Sequence, residues 1–143
     1  MGESRPALTR RLILDTGALI ALERGEARAF ERLRRITRRG YLVVVPTVVV
    51  MEALGGARNS QRLLQVLKII GNELPLAPAI SHQAPGLRRR AGVGSDTDAI
   101  VVLEALAVAG SAILTDDRDD ILALLAAAGA QGRVPVFWVV SRS

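Results

Sequence analysis

The chain has 143 residues, half of them apolar and 3% aromatic, with no cysteine and a formal net charge of +5. That length and hydrophobicity suit one domain with a core of Leu, Val, Ile and Ala, and exclude a disordered chain. The lack of cysteine excludes disulfides, thiol nucleophiles and Cys-based zinc sites, and agrees with a reducing cytoplasm.

Residues 1–10 read as a flexible polar lead-in, and residues 11–143 as a single domain. No signal peptide is expected, because the first apolar run already contains Asp15. No membrane association is expected either: the longest apolar stretch, Tyr41 to Met51, is split by Pro46. Arg11 to Asp15 reads as a short buried strand and Gly17 to Arg24 as a short helix. Glu26 to Arg39 reads as a charged helix closed by Gly40, with Arg28, Arg32, Arg35 and Arg39 on a solvated outer face.

Tyr41 to Val45 is a second short β-branched strand. Val48 to Leu54 is an apolar helix that contains Glu52 and stops at Gly55-Gly56. Asn59 to Ile70 is amphipathic, with Leu63, Leu64, Leu67 and Ile70 on one side. Glu73 to Ala77, bracketed by Pro75 and Pro78, fits an edge strand. A helix over 79–91 is expected to break at Pro85-Gly86. Ser95 to Ala109 is a long helix capped by Ser95 or Asp96. The strand Ala112 to Leu114, the helix Ile121 to Ala128 and the strand Val134 to Val140 complete the chain. Strands alternating with helices predict an α/β domain with a central, mostly parallel sheet of about five short strands.

Four acids stand beside apolar segments: Asp15 after the first strand, Glu52 inside an apolar helix, Asp98 at the start of the long helix, and Asp117 after the strand Ala112 to Leu114. Ligand sites in an open parallel sheet form beyond the carboxyl ends of the strands. Carboxylates gathered there repel one another, and a divalent cation resolves the repulsion; hard oxygen donors suit Mg²⁺ or Mn²⁺. Each acid also has a structural role open to it. Asp15 and Asp96 suit helix caps, Asp98 a helix N-terminus, and Asp116, Asp119 and Asp120 a solvated loop. Glu52 resists such a reading, because a lone charge among Val48, Val49, Val50, Met51, Ala53 and Leu54 should face a polar cleft.

The chain resembles PIN-domain ribonucleases, and in particular the VapC-like toxins of bacterial type II toxin–antitoxin pairs. Four stretches, in the family's order, carry the resemblance: Leu14-Asp15-Thr16-Gly17-Ala18-Leu19, Val45-Pro46 through Glu52-Ala53-Leu54, Asp98-Ala99, and Leu114-Thr115-Asp116-Asp117. It implies a three-layer α/β/α PIN-like domain that hydrolyses RNA phosphodiester bonds with one or two Mg²⁺ or Mn²⁺ ions. Asp15, Glu52, Asp98 and Asp117 would be the catalytic and metal-binding acids. Thr16 and Thr115 would support them. Asp96 competes with Asp98, and Asp116 with Asp117; the sequence leaves both choices open. The implied partners are an RNA substrate, a cognate antitoxin and a second copy in a homodimer.

An acidic pocket needs basic surroundings to hold RNA, and Arg10, Arg11, Arg88, Arg89, Arg90 and Arg118 are the candidates for phosphate contacts. The single histidine, His82, reads as a surface loop residue. Two rival readings remain. A PIN-like module that binds RNA or protein without cutting would need a degraded acid set. An aspartic protease is suggested by Asp15-Thr16-Gly17 alone, but needs an all-β fold and two such turns.

Overall fold

The computed structural model describes residues 10–139. Residues 1–9 of the lead-in expected over residues 1–10, and Val140 at the end of the last expected strand, lie outside them, whereas Arg10 begins the first strand. Each short apolar run forms a strand, and all five strands pair in parallel: β1 (Arg10–Leu14), β2 (Tyr41–Pro46), β3 (Asn72–Leu74), β4 (Ala112–Thr115) and β5 (Val136–Trp138). Their order across the sheet is β3-β2-β1-β4-β5. The central strand is covered on both faces, so Leu12, Ile13 and Leu14 are fully buried and β1 reads as continuous apolar sequence rather than an alternation. Leu12 lies opposite Val43 on one side and Ala112 on the other.

Seven helices connect the strands: α1 (Thr16–Glu23), α2 (Ala27–Thr37), α3 (Thr47–Gly56), α4 (Ser60–Ile70), α5 (Pro78–Ala91), α6 (Asp96–Ala107) and α7 (Arg118–Ala127). From β1 the chain moves outward through β2 to β3, then returns to the other side of β1 and continues outward through β4 to β5. Right-handed crossovers therefore place α1 to α4 on one face and α5 to α7 on the other. The packing agrees: α1 contacts α2, α3 and α4, while α5, α6 and α7 contact one another. The result is the three-layer α/β/α arrangement, with its switch point between β1 and β4.

Local chemistry sets the helix boundaries. Asn59 caps α4 by accepting from the Arg62 N–H, and Ser95 caps α6. α2 buries Ala29, Leu33 and Ile36, spaced by one turn, and turns its arginines outward. One expected break does not occur. α5 runs unbroken through Pro85, from Pro78 in its first turn to the left-handed Gly92 beyond its end. Ala84 and Leu87 on either side of the proline are buried against α6 and α7. Burying a leucine stabilises by about 1.5–3 kcal/mol, which offsets much of the roughly 3 kcal/mol an internal proline costs. Among the described residues no helix is long and apolar enough to cross a membrane.

Candidate functional site

The carboxyl ends of β1 and β4 open into a cleft of about 380 Å³ lined by Asp15, Thr16, Gly17, Ile20, Glu52, Gly94, Ser95, Asp98, Asp116, Asp117 and Asp120. Asp15 follows β1 directly and is almost completely buried. Its Oδ1 accepts the Ala18 N–H at 2.8 Å, so it caps α1 while it forms the floor of the cleft. Its Oδ2 accepts a hydrogen bond from the Thr115 hydroxyl at the end of β4. Thr115 Oγ1 in turn accepts the Asp117 N–H at 2.8 Å. One fully buried hydroxyl thus fixes the first acid and the start of the loop that bears the last.

Asp98 enters from the opposite helical layer. It is the third residue of α6 and forms a reciprocal capping box with Ser95: each side chain binds the other residue's backbone N–H at 3.0 Å. Asp117 caps α7 by accepting from the Asp120 N–H at 3.2 Å. Glu52 projects from α3, exposed, across the cleft mouth. Gly17 is required by close approach. A Cβ there would lie 2.4 Å from the Asp116 Cβ, so any side chain would push the β4–α7 connection away.

The electrostatics follow from this crowding. Burial pushes the Asp15 carboxyl up to about 7, and nearby Asp98 adds to the rise, against the hydrogen bonds from Thr115, Ala18 and Asp116. Burial also raises Asp98; its bonds to Ser95 oppose this, while Glu52 and Asp117 reinforce it. Asp120 is raised too, by desolvation first and then by Asp117. Three acids in one cleft therefore resist ionisation, through burial at Asp15 and Asp98 and through their like-charged neighbours.

The cleft brings together Asp15, Glu52, Asp98 and Asp117, with Thr16 and Asp116 beside them. It separates the competing pair in α6: Asp96 is exposed and its Oδ1 accepts from Arg88 Nε at 2.7 Å, outside the cleft lining. Both Asp116 and Asp117 reach the cleft. The cap of α1 is Asp15 rather than Thr16, whose hydroxyl is shielded from solvent with no partner among the described residues. Asp120, which the sequence suited to a solvated loop with Asp116 and Asp119, also lines the cleft. Its signal was the three-residue step from Asp117, which puts both on one face of α7.

The arginines divide differently from expectation. Arg10 and Arg11 lie at the start of β1, about 13–16 Å of strand away from Asp15, at the opposite edge of the sheet. Arg10 binds the Arg39 carbonyl and stacks 4.3 Å over the Tyr41 ring. Arg11 donates to the Glu104 carbonyl at 2.6 Å. Neither adjoins the acids. Arg118 stands next to Asp117 and donates to the Val136 carbonyl at 3.4 Å. Arg89 is exposed on α5; Arg90 and His82 line a separate, larger groove of about 770 Å³ between α5 and α6 that has no acidic lining. His82 is therefore a helical residue, not a loop one. Asp15-Thr16-Gly17 opens a helix in a parallel α/β sheet, which removes the aspartic-protease geometry.

Comparisons with known proteins bear on the fold and the family. Comparison with curated protein sequences finds no match. Among solved structures, the chain is similar to one in the crystal structure of VapBC2 from Rickettsia felis bound to a DNA fragment from their promoter. The TM-score is 0.61 at 8% identity, covering 90% of this chain and 98% of that one. At that identity the likeness is one of fold. The PIN domain family model matches residues 12–127, most of the sheet and all four acids, and the chain belongs to that family.

Proposed function

We propose that the chain is a divalent-metal-dependent endoribonuclease, the toxin of a toxin–antitoxin pair. The observation that carries this reading is the convergence of Asp15, Glu52, Asp98 and Asp117, from four separate elements and both helical layers, on one cleft at the switch point. Asp15, Glu52, Asp98 and Asp117 would hold Mg²⁺ or Mn²⁺. The donor set fits: all are hard oxygens, and the burial and mutual repulsion that raise Asp15 and Asp98 are what a cation reverses. Among the described residues no three acids close tightly enough to cage an ion by themselves. Water or substrate phosphate would therefore have to complete the coordination of an ion held here.

When bound, the ion offsets phosphodiester charge and makes water nucleophilic at neutral pH. The chain's residues set the rest. Thr115 holds Asp15 in one orientation and, through the Asp117 N–H, fixes the last acid relative to it. The Ser95–Asp98 box fixes the third. The shielded Thr16 hydroxyl offers an unused donor at the cleft wall. Asp116 and Asp120 add carboxylates for a second ion.

The toxin role is supported by the fold shared with a chain of a VapBC2 assembly, and it brings a cognate antitoxin, a homodimer and a cytoplasmic setting into the proposal. A binding module without catalysis is disfavoured because all four acids are present. The test is RNA cleavage in Mg²⁺ or Mn²⁺ by the full chain and by Asp15→Asn/Asp98→Asn. Cleavage by the wild type, lost by at least about a hundredfold in the double variant, is expected. Equal cleavage by both, or none by the wild type with any divalent metal, overturns the nuclease reading.

A further inference from the structure

The acidic cleft has no basic side chain in its lining, so a polyanion bound there must be held from elsewhere. The chain's charge is unevenly spread. Residues 24–39, which are α2 and its flanks, hold seven arginines against two glutamates; that surplus of +5 equals the net charge of the whole chain. Outside this segment acids and bases cancel. Arg28, Arg34, Arg35 and Arg38 are exposed, and Arg28, Glu31, Arg32 and Arg35 border one shallow surface groove. The only ion pair recorded among the described α2 side chains is Arg35 to Glu31 at 2.8 Å, with both partners exposed. Such a pair contributes little and is easily exchanged.

α2 ends at the sheet edge opposite the cleft, where the Arg39 carbonyl accepts from Arg10, but its middle reaches the cleft edge. Arg32 Nε donates to the Trp138 carbonyl at 3.1 Å, and its guanidinium lies 5.8 Å from the Phe137 ring centroid. Trp138 is the last residue of β5 and stands in register with Thr115, the hydroxyl that holds Asp15. The middle of α2 is thereby tied to the carboxyl edge of the sheet, where the acids gather. Arg32 is held by these contacts, and the exposed Arg28 and Arg35 border the same surface groove.

We propose that the outer face of α2 is a docking surface for the phosphate backbone of RNA, gripping the strand beside the cleft. It rests on the nuclease reading for its choice of RNA, and replaces Arg10 and Arg11 as the chain's phosphate anchor. Guanidinium groups bind phosphate bidentately, without reading sequence.

The test is the affinity of the full chain for a fluorescently labelled single-stranded RNA in EDTA, across a salt series, so that binding is read without cleavage. Arg28→Gln/Arg35→Gln should weaken binding about tenfold or more. It should also flatten the slope of log affinity against log salt by about 1.4, at roughly 0.7 per phosphate contact on a single strand. Arg28→Lys/Arg35→Lys should keep the slope, and Arg34→Gln/Arg38→Gln provides a second exposed pair if the first variant fails to fold. Asp15→Asn/Asp98→Asn should bind at least as tightly as the wild type. The proposal is overturned if folded glutamine variants keep wild-type affinity and slope, if the wild type binds no RNA, or if the variants lose only binding to an acidic protein. Wild-type protein that binds RNA through α2 but never cuts it would instead overturn the nuclease reading alone.

Discussion

Asp15 has two tasks that pull against each other. As a cap it satisfies the Ala18 N–H of α1; as a cleft acid it is buried beside Asp98. Its carboxyl is raised from 3.8 to about 7, so the metal-free fold binds this proton more tightly than the unfolded chain does. The contribution is fully present below 3.8 and is lost as pH rises through about 7. At about 1.4 kcal/mol per unit, the loss is on the order of 4 kcal/mol. Urea denaturation in EDTA at stepped pH should therefore show the wild type losing stability from pH 4 to 8 relative to Asp15→Asn, whose uncharged amide cannot ionise. Parallel pH curves for the two proteins would contradict the burial of an ionisable Asp15.

At the level of elements, the site depends on how closely α1 approaches the β4–α7 connection. Gly17→Ala places a methyl 2.4 Å from the Asp116 Cβ, and the loop carrying Asp116 and Asp117 has to move. The helix itself gains from alanine, by up to about 1 kcal/mol. Cleavage is therefore expected to fall tenfold or more while the chain still folds; unchanged kcat would mean that the loop's position does not matter. The same distinction between local and distant causes explains what the sequence made legible. Strands, caps and helix ends followed from neighbouring residues: the apolar run before Asp15, Ser95 before its helix, and the glycines beyond helix ends. Glu52 could be assigned to a cleft because its apolar neighbours left it no other reason to exist. Pro85 misled, because the packing that holds α5 straight comes from α6 and α7. Arg10 and Arg11 stand apart from the acids: chain proximity to Asp15 hides a strand's length of separation. Asp120 needed the start of α7 fixed before its face was known.

For the whole molecule, charge is divided between an acidic cleft at the switch point and a basic excess on α2, and this couples ion binding to folding. In the metal-free protein the clustered carboxylates oppose the sheet contacts that gather them, since Glu52 comes from one helical layer and Asp98 from the other. A divalent ion that binds only the folded arrangement must stabilise it; at a hundredfold excess over Kd the linkage is about 2.7 kcal/mol. In a chain of this size that raises Tm by roughly 10 °C. Thermal unfolding with and without Mn²⁺ should show this rise for the wild type. Asp15→Asn/Asp98→Asn should unfold at a higher temperature than the metal-free wild type, because its repulsion is already relieved, and should gain little from the ion. Arg28→Gln/Arg35→Gln should keep the full rise, because α2 adds nothing to the ion's ligands. An equal Mn²⁺ shift in wild type and the double acid variant would place the ion elsewhere and separate the cleft from the chemistry proposed for it.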